Sequence, residues 1–107
     1  MNNIDQQSWF ARPLAEQMAN IGTEVGRAME WQITDPARST AAFYNAIDLL
    51  DLTIEDKKNR GSAMTELCRL KEALGDYFLG DNIYGSTKQN WNSYFYFFNV
   101  AASAKYF

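Results

Sequence analysis

Asp48 and Asp51 stand three residues apart, Glu72 and Asp76 four apart, and Glu24 lies beside the helically spaced apolar stripe that includes Ile21, Val25 and Ala28. At those spacings two side chains share one face of a helix. Carboxylates converging from neighbouring helices can hold magnesium and bind a nucleotide, as all-helical pyrophosphohydrolases do with their ExxE and ExxD pairs. The spacing here does not reproduce those pairs, and the simpler reading is a solvated face on which Asp48, Asp51 and Glu55 fall in line. Metal-dependent nucleotide hydrolysis is therefore the third of the functional readings. The chain has no histidine, which removes the usual Ser-His-Asp and Cys-His arrangements and the nitrogen ligands of the common zinc sets. The single cysteine, Cys68, cannot form an intramolecular bridge and reads as a packing residue. The sequence assigns no catalytic residue, no cofactor and no metal site.

A second polar pattern lies on the first long helix. Asn20, Glu24, Arg27 and Trp31 recur at spacings of four, three and four, forming a stripe that borders the apolar one. Arg69 and Asp76 line a similar border on the third. A half-buried charge needs a partner, so Glu24 or Asp76 is expected to pair with Arg27 or Arg69, with a ligand pocket as the alternative. Gly22 and Gly26 in the same helix lower its propensity by up to about 1 kcal/mol each, which points to close helix approach on that face.

The elements that hold these residues follow from punctuation and period. Pro13 suits a first helical position, and Leu14, Met18, Ile21, Val25 and Ala28 continue a helix over about residues 12–32. Asp35-Pro36 is an acidic cap followed by proline, and Phe43, Ile47, Leu50 and Ile54 carry a second helix from about 36 to 55. The polar stretch from Glu55 to Gly61 reads as a loop that cannot bury a face, and Ala63, Leu67, Leu70, Leu74 and Phe78 mark a third helix ended by Gly80. Ser86 to Gln89 matches a capping box that opens a fourth helix running nearly to the end. Four helices joined by short loops make an all-α, antiparallel up-and-down four-helix bundle. With 107 residues, 47% of them apolar, the chain fits one domain over residues 1–107.

The fourth helix carries more aromatic surface than one core absorbs. Trp91, Phe95, Phe98 and Ala102 turn inward at helical spacing, and Tyr94 and Ala101 flank them. Tyr96 and Phe97 are left over, with Tyr106 and Phe107 at the terminus. Exposed apolar patches on soluble proteins mark contacts, so a homodimer through this helix is expected, with burial of all five aromatics, Tyr94 to Phe98, as the competing reading. A net charge of −3 supplies no basic field for phosphate, which disfavours nucleic acid as a partner. No basic segment followed by an apolar run opens the chain, and no stretch has the ~18 apolar residues of a membrane span, so a soluble, cytoplasmic protein is expected.

Ser8-Trp9-Phe10, Asn20 to Val25, Leu49 to Ile54 with Asn59-Arg60, Asp76 to Phe78, and Trp91 with Tyr94-Phe95 and Phe98 to Ala102 together resemble a group of small uncharacterised bacterial helical proteins. The likeness spans almost the whole chain and implies a small helical domain without naming an activity. A more distant likeness is to the HEPN bundles, which pair with nucleotidyltransferase-like partners and include RNases. Those RNases use an arginine followed a few residues later by a histidine, which this chain lacks. A HEPN-like partner in a toxin–antitoxin or nucleotidyltransferase system is thus the second functional reading. The first is a non-catalytic helical interaction module that associates with itself or with another protein.

Overall fold

Proline at 13 and at 36, glycine at 61 and the turn-rich segment 81–87 divide the chain into its helices. A computed structural model describes residues 5–104. It is all-helical: α1 spans Gln6–Phe10, α2 Leu14–Trp31, α3 Pro36–Glu55, α4 Ser62–Phe78 and α5 Lys88–Ala104. Among the described residues there is no strand.

The short α1 precedes the four long helices and was not expected from the sequence. The Asp5 carboxylate accepts from the Gln7 N–H at 3.1 Å to start it, and the extended backbone of Pro13 separates it from α2. Pro13 is therefore the cap of α2 and not its first helical residue. Trp9 drives α1 inward, where its ring is buried. The Asp35 carboxylate accepts from Arg38 N–H at 3.2 Å and Pro36 opens α3, as the sequence predicts. The reciprocal cap of α5 lies one residue later than expected: Asn90 N–H donates to the Thr87 hydroxyl and Thr87 N–H to the Asn90 side chain. Ser86 instead donates its N–H to Asn82 within the preceding loop.

α2 packs against both α3 and α5, while α3 also receives α4 and α1. Met18, Ile21 and Val25 of α2, Phe43 and Leu50 of α3, Leu67 and Leu74 of α4, and Phe95 of α5 meet in one core. A Cβ on Gly22 would lie 2.7 Å from Phe95 Cγ, so the α5 ring rests directly on the backbone of α2. Gly26 has nothing within 4 Å of that position. The close approach expected for both glycines thus holds at Gly22 alone. α4 and α5 meet through large side chains, with the rings of Tyr77 and Trp91 6.1 Å apart. Cys68 is exposed, not packed: it follows Leu67 by about 100° around α4 and so leaves the face made by Leu67, Leu70 and Leu74. Among the described residues no helix is long and apolar enough to cross a membrane.

Candidate functional site

Three regions collect side chains that burial alone does not account for. The first is the seam between α2 and α3. Here Asn20, Glu24, Arg27 and Trp31 lie along the margin of α2, one above another by the helical period. They line two adjoining clefts of about 520 Å³ and 420 Å³, both of which include Glu24 and Arg27. Trp9 of α1 and Arg12 of the α1–α2 connection close one end, and α3 supplies Arg38 and Asn45 at the other. Glu24 Oε1 accepts from Arg27 Nη1 at 2.8 Å, an ion pair within one helix. The Arg12 guanidinium lies 5.9 Å from the Trp9 ring centre, and that of Arg38 lies 5.4 Å from the Trp31 ring centre. Arg38 Nε also meets Asp35 at 3.2 Å.

The remaining residues of the polar border do not join this seam. Asp51 pairs with Lys71 of α4 at 2.7 Å. Asp48 is half-buried and Arg69 exposed, and neither is paired with a charged group among the described residues. Asp76 accepts from the N–H groups of Ile83 and Tyr84 at 2.8 and 3.1 Å, so it fastens the α4–α5 loop instead of pairing with Arg69. Backbone N–H donors of the loop, which have no helical carbonyl to meet, are the nearer claim on that carboxylate. Among the described residues no three histidine, cysteine, aspartate or glutamate side chains are grouped to hold a metal ion.

The second region is a buried polar knot where α1, α2 and the α3–α4 loop meet. Gln17, Asp56 and Asn59 are 0%, 5% and 2% exposed. The Gln17 amide donates to Asp56 Oδ2 at 2.9 Å and to the Trp9 carbonyl at 3.1 Å, while the Asn59 amide donates to Gln17 Oε1 and to the Thr53 carbonyl. Trp9 Nε1 donates to the Thr53 hydroxyl at 3.1 Å. Lys58 completes the knot with its ammonium on Asp56 and on the Phe10 carbonyl. Burial would raise the Asp56 carboxyl, but hydrogen bonds from Lys58 and Gln17, with the Lys58 charge, outweigh it and hold the group below its usual value. Glu55 ends α3 and the segment 56–61 is a loop, yet it does bury two polar residues, Asp56 and Asn59, because each finds partners.

The third region is the outward face of α5. Tyr96, Phe97 and Val100 are 67%, 66% and 49% exposed, whereas Trp91 and Phe95 of the same helix are buried. Tyr94 is half-buried, and burial raises its hydroxyl above the ordinary tyrosine value, helped by the Glu66 charge and the 3.5 Å hydrogen bond from the Tyr94 hydroxyl to Glu66. Phe98 lies against the core. Tyr106 and Phe107 fall outside the described residues. A separate set of exposed apolar residues, Ile33, Leu79, Ile83 and Tyr84, belongs to the α2–α3 and α4–α5 connections.

Sequence reasoning found the seam stripe and the α5 aromatics, because each lies on one helix at a readable period. It missed the knot, whose members are far apart in the chain, and it missed Arg12 and Arg38 as seam residues. The proline beside each helix start was the available signal: an arginine one residue before Pro13 and another two after Pro36 sit at the ends of the same stripe. Comparison with family models, with curated proteins and with solved structures returns no match to this chain.

Proposed function

We propose that the protein is a helical interaction module that forms a two-fold homodimer through the outward face of α5. In this reading α2, α3, α4 and α5 are an antiparallel up-and-down bundle and α1 is a clasp across one end. The exposure of Tyr96, Phe97 and Val100 on one helix carries the proposal. Large aromatics gain most from burial and are favoured at the centres of interfaces. A closed two-fold contact covers the same patch on both chains and leaves no sticky surface for further growth.

A specific contact needs roughly 1,000 Å² in total, or about 500 Å² from each chain. The described chain exposes 6743 Å², so a dimer would take less than a tenth of it. A helix of 17 residues such as α5 is about 25 Å long, and two of them crossing through tyrosine and phenylalanine side chains can supply that area. The test is sedimentation of the unmodified protein at about 100 μM beside Phe97→Asp, which places a charge in the contact. The expected result is a dimer that the substitution dissociates while helical circular dichroism survives. A monomeric unmodified protein would end this reading.

A further inference from the structure

The geometry points to the α2–α3 seam as a binding site for a small phosphorylated molecule that also carries hydroxyl groups, a sugar phosphate or a nucleotide. Three of the chain's five arginines, Arg12, Arg27 and Arg38, line this one seam, in a protein whose net charge is −3. Each is held in place without using up its donors. Arg27 engages Glu24 through Nη1, Arg38 engages Asp35 through Nε, and Arg12 lies over the Trp9 ring. A guanidinium carries five N–H donors in a planar fork, so a single ion contact or a stacked ring leaves open edges that match phosphoryl oxygens. Side chains already fixed by such contacts lose little freedom when a ligand arrives.

Size and polarity narrow the ligand. The adjoining clefts of about 520 and 420 Å³ are in the range of small-molecule sites, which run about 300–1,000 Å³. Asn20 and Trp31 are eleven positions apart on one helix, or about 17 Å of length, enough for a phosphate at one end and a sugar or ring at the other. The carboxylate of Glu24 lies in both clefts, and Asp5 lines the larger. Those groups oppose a bare anion and accept from hydroxyls. A molecule presenting both a phosphoryl group and hydroxyls satisfies guanidinium and carboxylate together, whereas inorganic phosphate meets only the first.

Titration calorimetry with ribose 5-phosphate, adenosine monophosphate and inorganic phosphate tests the assignment, and a sugar phosphate is separated from a nucleotide by which of the first two binds more tightly. Saturable binding of at least one of those two is expected at millimolar or lower concentration, a level that corresponds to about 4 kcal/mol. Arg12→Gln and Arg27→Gln should each weaken it by about tenfold, the difference of a charge-assisted contact. Lys88→Gln, at the start of α5, should leave it unchanged, and unaltered circular dichroism of every variant separates lost binding from lost fold. Absence of saturable binding, equal affinity in the arginine variants, or inorganic phosphate binding as tightly as the organic phosphates would each overturn the site.

Discussion

The knot around Asp56 and the outward face of α5 invert the usual placement of residues. One buries a glutamine, an aspartate and an asparagine, while the other leaves a tyrosine and a phenylalanine in water. The difference lies in partners. Each polar group of the knot meets a donor or acceptor supplied by α1, α2, α3 or the following loop, so desolvation is offset by hydrogen bonds. Tyr96 and Phe97 are left mostly in water, and the ring of Phe97 stands edge-to-face with that of Phe98, 5.3 Å away between centres. Placement is decided by what the rest of the fold offers a side chain, and a surface aromatic without an offer is where a second molecule gains most.

The largest expected effect separates the two regions. Trp9→Ala removes a buried ring and the donor to Thr53 and should destabilise the protein by about 3 kcal/mol or more. Chemical denaturation would show this as a lower midpoint; an unchanged midpoint would mean that α1 does not brace the fold.

A smaller effect tests the charge in the knot. Asp56 has a folded pKa below the ordinary 3.8, so its contribution is fully present above that ordinary value and is lost as pH falls through the lower folded value. Asp56→Asn should lower stability at neutral pH by about 1 kcal/mol, and the gap to the unmodified protein should narrow as pH falls into that acid range. Denaturation midpoints between pH 7 and about pH 3 measure it, and a gap constant with pH would place the charge outside the stabilising set.

The smallest effect belongs to α5. Tyr96→Ser should change the stability of the folded chain itself by no more than about 0.5 kcal/mol, because little is buried there. A loss as large as that of Trp9→Ala would mean that Tyr96 supports the interior and would dissolve the contrast between the regions.

What could be read from the sequence follows the range of the interactions. The helical stripe of Asn20, Glu24, Arg27 and Trp31, and the Asp35-Pro36 start of α3, depend on neighbours within one turn and are visible in the residue order. α1 has five residues, too few to display a period. Gln17 gives no sign of its burial, since its partners Asp56 and Asn59 lie 39 and 42 positions away. Asp76 was misread for the same reason: its bonds run seven and eight residues forward into a loop, where no helical spacing could announce them.

That separation in sequence also orders the events of folding. The bonds from Trp9 to Thr53 and from Gln17 to Asp56 close loops of 44 and 39 residues, and such loops close only at an entropic cost that local helix formation does not carry. Glu24 and Arg27 meet as soon as one helical turn exists. The knot is therefore expected to assemble after α2 and α3 have docked, on the native side of the folding barrier. In stopped-flow measurements Trp9→Ala should then speed unfolding and leave the refolding rate nearly unchanged, and a slowed refolding limb would move the knot into the folding nucleus. The small buried cluster would govern how long the folded molecule lasts, and not how quickly it forms.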